Sequence, residues 1–168
     1  MINWFYYPAC SPPPDLARAI VSIFEEAFPE IESSKNTLAS NAVLSRVAAG
    51  LCGAGFRVET GKSKGQRVSV PVLFGRNGKV AKAFSADAYH EAAGFVLEVE
   101  AGRAVDNNQF LKDLFQACMM QDVKYAAIAL RNTYRGSDDF STACRFFDTL
   151  FASSRLRLPL EGVLILGY

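Results

Sequence analysis

The sequence is poor in the side chains that carry zinc or nucleophilic chemistry. Its 168 residues include one histidine, His90, and four widely spaced cysteines with no Cys-x-x-Cys pair. Structural zinc sites need clustered cysteine and histidine ligands, so this class of site is excluded. A Gly-x-Ser-x-Gly motif is also missing, which argues against a serine hydrolase. His90 stays a minor candidate for substrate contact because it lies close to Asp87.

The chain also lacks long apolar runs, and its charges nearly cancel. No apolar stretch approaches the roughly 18 residues of a membrane span, and the formal net charge is +1. Hydrophobic residues make up 50% of the chain and charged residues 21%, a balance typical of a globular protein. Cys52 and Cys118 lie in apolar helical patterns, where a reduced cysteine acts as a small hydrophobe. We therefore expect a cytoplasmic protein that does not associate with membranes.

Hydrophobic periodicity predicts an α/β protein. The predicted helices cover residues 15–29, 40–51, 106–121 and 139–152, and the predicted strands cover residues 56–60, 68–74, 80–89, 95–100, 125–130 and 162–167. Pro29 is predicted to end the first helix, and Asp106 to begin the third with Gln109 in a capping box.

The order of these elements indicates the fold class. Hairpins are mixed with helix crossovers, so we expect an α/β sandwich on a mixed central sheet flanked by helices. One domain is expected over residues 1–168. It comprises a lead-in and helix (1–36), a core (40–130) and a final helix and strand (139–168).

Acidic residues between positions 87 and 100 form the clearest candidate site. Asp87 lies on one predicted strand, and Glu98 and Glu100 lie two residues apart on the next. Because side chains alternate along a strand, the glutamates share a face with Val96, and the other face takes Phe95, Leu97 and Val99. A short turn lets the three carboxylates meet. Such an oxygen-only site suits Mg²⁺ or Mn²⁺.

Two neighbouring features suit a polyanionic substrate. Basic residues far outnumber the single acid, Glu59, between positions 57 and 82, and a basic stripe attracts phosphates without reading base sequence. The third helix is predicted to present its positive N-terminus to the same region. The candidate phosphate-binding residues are Lys62, Lys64, Arg67, Arg76, Arg103, Asn107 and Asn108. A solvated hairpin with lysine-protected edges is the competing interpretation of the stripe.

These residues and elements resemble the PD-(D/E)xK superfamily, which has the restriction-endonuclease-like fold, and in particular its uncharacterised bacterial members. Asp87 resembles the first aspartate of the motif and Glu98-Val99-Glu100 its second half, within a likeness that covers about residues 40–130. The resemblance implies a nuclease that hydrolyses DNA with Mg²⁺ or Mn²⁺ bound by Asp87 and Glu98. It implies that Glu100 either binds a second ion or acts as the base that orients the attacking water.

Glu100 stands where the superfamily usually has lysine. The resemblance then gives Lys112 and Gln109, one turn apart on the next helix, the role of replacing that positive charge. The acid that the family often has on its first core helix corresponds most nearly to Asn41.

Three functions stay open at this point. The first is an active nuclease, and the second is a nuclease-fold protein without catalysis that binds nucleic acid or protein. In the third, the acids and bases form surface ion pairs in an unrelated α/β protein. DNA is the expected partner, and a homodimer is left open.

Overall fold

A six-stranded mixed sheet forms the centre of the protein. The computed structural model describes residues 1–63 and 65–168, which contain four α-helices and ten strands. The helices are α1 (Asp15–Ile31), α2 (Ser40–Gly53), α3 (Gln109–Met119) and α4 (Asp139–Ser153). The strands are β1 (Asn3–Tyr7), β2 (Arg57–Val58), β3 (Val68–Phe74), β4 (Val80–Ala86), β5 (Ala88–His90), β6 (Phe95–Glu100), β7 (Tyr125–Leu130), β8 (Thr133–Tyr134), β9 (Ser137–Asp138) and β10 (Gly162–Gly167).

The strand order of the central sheet is β1-β10-β7-β6-β5-β2. β6, β7 and β10 run parallel, whereas β1 pairs antiparallel with β10, β5 with β6, and β2 with β5. This topology confirms the predicted α/β sandwich on a mixed central sheet. The edge strand β1 was not predicted, because its aromatic residues were interpreted as part of an irregular lead-in.

Helices pack on both faces of the sheet. On one face, the side chains of α1 and α2 form a core with Phe95, Leu97 and Val99 of β6. On the other face, α3 and α4 pack on β7 and β10, while Val96 packs beneath the β3–β4 hairpin. The alternation predicted along β6 is therefore confirmed. Glu98 and Glu100 point to the same side as Val96, where α3 lies.

The β3–β4 hairpin forms its own two-stranded sheet. Residues 80–89 were predicted as one strand, but the structure divides them at Asp87. The division arises because β4 pairs with β3, whereas β5 pairs with β6. The prediction of a continuous strand was therefore wrong, and Asp87 lies where the chain changes its strand partner.

Two predicted helix boundaries were also wrong. Pro29 lies inside α1, which continues to the buried Ile31. A proline this close to a helix end breaks little of the hydrogen bonding, and the amide of Glu32 still donates to the carbonyl of Phe28. The third helix begins at Gln109 after a residue with a left-handed φ of 53°. Asp106 is therefore not its N-cap, and a turn around the buried Ala104 replaces the predicted first turn.

The sequence analysis predicted reduced cysteines and no apolar stretch as long as a membrane span. None of the helices formed by the described residues is long and apolar enough to cross a membrane. All four cysteines are free thiols. Cys118 is half-buried as predicted, whereas Cys52 is exposed because the core face of α2 is formed by Val43, Leu44, Val47 and Leu51.

A matched pair of leucine substitutions tests the packing of the sheet. Leu97 is 0% exposed at the centre of β6, and Leu73 is 60% exposed on β3. Leu97→Ala should lower the free energy of unfolding by about 2–5 kcal/mol, because it leaves a cavity in the core. Leu73→Ala should change it by less than about 0.5 kcal/mol. Denaturant unfolding measures both, and equal losses would contradict this assignment of the core.

Candidate functional site

Asp87 connects three strands at the centre of the site. Its Oδ2 atom accepts a hydrogen bond of 2.8 Å from the amide of Val99 on β6. Its carbonyl oxygen accepts a bond of 2.7 Å from the amide of Glu59, just beyond β2. Ala88 pairs with Leu97 in the β5–β6 register. Asp87 therefore lies level with Glu98 at the open end of the hairpin, away from its turn.

Five acidic side chains line one cavity of about 230 Å³, hereafter the acid cavity. Three of them, Asp87, Glu98 and Glu100, were candidates from the sequence. The other two are Glu59, whose side chain is 6% exposed, and Asp113 of α3, whose side chain is 4% exposed. The structure therefore brings the predicted acids together and adds two that the sequence reasoning missed.

The sequence contains a pattern that could have identified Asp113. It lies three residues after Phe110 and four before Ala117, on the same stripe of α3 that these buried residues occupy. A charged residue within an apolar helical stripe must find a special partner. That position was overlooked because the acidic candidates were sought between positions 87 and 100. Asn41 also lines the acid cavity.

Two lysines line the acid cavity, and each has an acidic neighbour. Lys62 Nζ lies 2.9 Å from Glu59 Oε1, and this bond raises the pKa of the lysine. Lys112 Nζ lies 3.7 Å from Asp113 Oδ1 and donates a long bond of 3.4 Å to Gln109 Oε1. Lys112 thus lies at the site, as the sequence suggested. Gln109 does not line the cavity, and its link to the site is the hydrogen bond that it accepts from Lys112.

Burial and mutual repulsion raise the pKa of the acids. Loss of hydration is the largest cause for each group. Neighbouring carboxylates add to it for Asp87, Glu98 and Glu100, whereas hydrogen bonding with Glu100 and the charge of Lys112 oppose it for Asp113. The pKa of Asp87 is raised to about 6 and that of Glu100 to about 8. The pKa of Glu98 is raised well above its usual value, and that of Asp113 is raised too. The positive charges of Lys62 and Lys112 therefore do not balance the five carboxylates of the acid cavity.

The donor set of the acid cavity fits a hard divalent cation. The Oδ2 atom of Asp113 is buried and has no hydrogen-bond partner among the described residues. Such an oxygen is costly unless a donor or a cation meets it. Across residues 1–63 and 65–168, no three histidine, cysteine or acidic side chains already form a complete metal-binding group. Ion binding therefore requires the carboxylates to move closer together.

Several predicted phosphate contacts lie elsewhere. Asn107 and Asn108 are exposed and fall outside the described residues that line the acid cavity. The residues of α3 that line the cavity are Lys112, Asp113 and Gln116, which lie along the side of the helix. The N-terminus of α3 is not among the described residues that line it. This difference follows from the later start of the helix. Arg67 and Arg103 are exposed, Arg76 lies at the exposed tip of the β3–β4 hairpin, and Lys64 lies outside the described residues.

His90 supports the hairpin turn at the end opposite to the acids. Its Nδ1 atom accepts a hydrogen bond of 3.1 Å from the amide of Ala93. Its ring packs edge-on against Phe56, with 5.3 Å between ring centroids. These contacts give His90, the only histidine in the sequence, a structural role at the turn and no role in the acid cavity.

A larger opening of about 700 Å³, hereafter the arginine cleft, adjoins the acid cavity. The two share Ser40 and Glu100. Glu100 pairs with Leu130 in the parallel β6–β7 register, so the next residue, Arg131, emerges beside it at the carboxyl edge of the sheet. The sequence reasoning missed this cleft, although ligands commonly bind at the carboxyl ends of parallel strands.

Comparison with known proteins gives no match. No protein-family model matches the chain, and no curated protein resembles it significantly in sequence. The function is therefore inferred from the chemistry of the site.

The raised pKa values predict how stability depends on pH without a divalent ion. An acid whose pKa is higher in the folded state binds more protons there, so stability falls as pH rises through that interval. With EDTA present, the free energy of unfolding should fall between pH 4.5 and about 8, the interval of Glu100. After allowance for solvent screening, the fall should be on the order of 2 kcal/mol.

Denaturant unfolding at a series of pH values measures this fall. Glu100→Gln should reduce it, while Glu26→Gln on the exposed face of α1 should leave it unchanged. A free energy of unfolding that is constant or increases between pH 5 and pH 8 would contradict the assignment.

Proposed function

We propose that the protein is a metal-dependent nuclease that hydrolyses phosphodiester bonds of DNA, with the acid cavity as its active site. The observation that carries the proposal is the convergence of five carboxylates beside an arginine-lined cleft, with the Asp113 Oδ2 atom buried and without a hydrogen-bond partner among the described residues. Anionic ligands suit a divalent cation, and neighbouring arginines suit a phosphate. The order of β5, β6, α3 and β7 agrees with the proposed membership of the PD-(D/E)xK superfamily.

The cation would be held by Asp87, Glu98 and Asp113. Mg²⁺ or Mn²⁺ there would supply a Lewis acid for the phosphate and would lower the pKa of a bound water. The protein keeps the first of these ligands oriented through the bond from the Val99 amide to Asp87. An oriented ligand loses less freedom when the ion binds.

Glu100 and Lys112 take the roles nearest to the substrate. Glu100 borders both the acid cavity and the arginine cleft, so its carboxylate is the acceptor for the proton of the attacking water. Lys112 lines the same cavity and supplies the positive charge that the superfamily usually places at position 100. Its ammonium group stabilises negative charge that develops on the phosphate.

The competing function is a nuclease-fold protein that binds nucleic acid or protein without cleaving it. Glu100 in place of lysine favours this alternative, and the presence of Lys112 at the cavity weakens it. A cytoplasmic location is part of the proposal, supported by the four free thiols. Whether the active protein is a homodimer is left open.

Glu98→Gln tests the catalytic assignment. Cleavage of DNA with millimolar Mg²⁺ or Mn²⁺ should fall by about 100-fold or more, because the variant loses a charged ligand of the cation. Glu91→Gln, at the exposed turn of the same hairpin, is the matched control and should keep full activity. An active Glu98→Gln enzyme would overturn the assignment. A wild-type protein that neither binds Mn²⁺ by calorimetry nor cleaves any DNA would favour the binding module.

The substitution Asp113→Asn tests whether Asp113 is a ligand of the metal ion or a structural residue. Without metal, the variant should be more stable than the wild type by about 1 kcal/mol, because a buried charge with one oxygen lacking a hydrogen-bond partner among the described residues is removed. Its Mn²⁺ affinity should fall by about tenfold or more. Asp139 is also a buried aspartate with an unpartnered oxygen among the described residues, but it lies outside the acid cavity.

Asp139→Asn is therefore the control for the metal measurement and should leave Mn²⁺ affinity unchanged. Thermal unfolding and calorimetry give the two readouts. If Asp113→Asn destabilises the protein and leaves Mn²⁺ binding intact, Asp113 is a structural residue and not a ligand.

A further inference from the structure

The arginine cleft has polar walls from separate parts of the chain. One wall is the segment between α1 and α2, which includes Ser33 and Thr37; the hydroxyl of Ser33 donates a hydrogen bond to the Tyr168 carbonyl. The other is the β8–β9 hairpin, which carries Tyr134 and Arg135. Its volume of about 700 Å³ is within the range of sites that enclose a small ligand or part of a chain. The cleft is thus large enough for a short stretch of one strand.

Tyr134 holds two arginines together in this cleft. The guanidinium carbon of Arg131 lies 5.4 Å from the centre of the Tyr134 ring, and that of Arg135 lies 5.2 Å from it. The ring packs closely on Gly102, where a Cβ atom would lie 3.1 Å from it. Arg131 is also held by the hydrogen bond of 2.8 Å that its Nη2 atom donates to the Leu38 carbonyl. Two cations therefore contact the same aromatic ring at the cleft.

These arginines are not held in ion pairs with the described acids, although the charge of Arg131 also acts on Asp139. Within the described part of the chain, neither forms a salt bridge, and Glu100 is the one acid among the residues that line the cleft. Guanidinium groups bind phosphate through paired hydrogen bonds. The first residue of α2, Ser40, lines both openings, so the positive end of that helix lies between them. The cleft is thus suited to anions.

We propose that the arginine cleft holds an unpaired DNA strand, with Arg131 and Arg135 on a phosphate next to the bond that is cut in the acid cavity. This assignment rests on the proposed nuclease function and specifies its substrate. Because Glu100 borders both openings, the scissile phosphate lies in the acid cavity and the next phosphate of the strand lies in the arginine cleft. A single strand is proposed because a volume of about 700 Å³ accommodates a short stretch of one chain and is far smaller than a duplex.

Binding in EDTA tests the cleft separately from catalysis. A labelled oligo-dT of about eight nucleotides is titrated with the full chain, and anisotropy is read at several salt concentrations. Arg135→Gln should weaken binding by about fivefold or more and reduce the slope of log K against log salt by about 0.7, the value for one lost phosphate contact. Arg135→Lys should restore part of the affinity, because it restores the charge.

Arg18→Gln is the matched control, since Arg18 is an exposed arginine on α1 that lines neither opening. It should change the affinity by less than about twofold. Loss of binding in Arg18→Gln with none in Arg135→Gln would overturn the proposal, and so would a matched duplex that binds as tightly as the single strand. Thermal unfolding checks that each variant is folded. If Arg135-dependent binding occurs in EDTA but wild-type protein with Mn²⁺ never cleaves, the nuclease function fails while the strand-binding cleft stands.

Discussion

The hydrogen bond from the Val99 amide to the Asp87 carboxylate, 2.8 Å long, is the contact on which the site depends. Asp87 lies where the chain leaves the β3–β4 hairpin and enters the central sheet, so this bond fixes the register in which β5 meets β6. That register places Asp87 level with Glu98. The Asp87 carbonyl also binds the Glu59 amide, which brings β2 and its acid to the same place. One residue thus connects the three strand segments that carry four of the five acids.

The acid cavity is a local source of instability that the rest of the fold must offset. Burial raises the pKa of its acids, and each carboxylate makes its neighbours harder to ionise. A folded protein retains such a cluster only where the surrounding packing is strong enough to hold it. Here β6 supplies that packing, because its other face presents Phe95, Leu97 and Val99 to the core formed with α1 and α2.

The two openings at the carboxyl edge of the sheet carry opposite charges. Acids line the smaller one, two arginines line the larger one, and Glu100 borders both. The parallel pairing of β6 with β7 produces this arrangement, since it brings Arg131 next to Glu100 although the two are far apart in the chain. A phosphodiester chain needs a cation at the bond that reacts and further cations at the neighbouring phosphates. The proposed roles of the two openings match that need.

The sequence by itself determined the fold class, most of the strands and the face of β6 that carries Glu98 and Glu100, because these follow from the spacing of apolar residues. It also indicated Asp87 and Lys112, whose positions are set by neighbours close in the chain. Only the tertiary structure decided that Asp113 and Glu59 join the acids, that the N-terminus of α3 points elsewhere, and that Arg131 and Arg135 form a cleft beside them. The physical reason is that periodicity describes which face of an element is buried, whereas a site depends on which elements meet. That meeting is set by strand order and register, which pair residues distant along the chain.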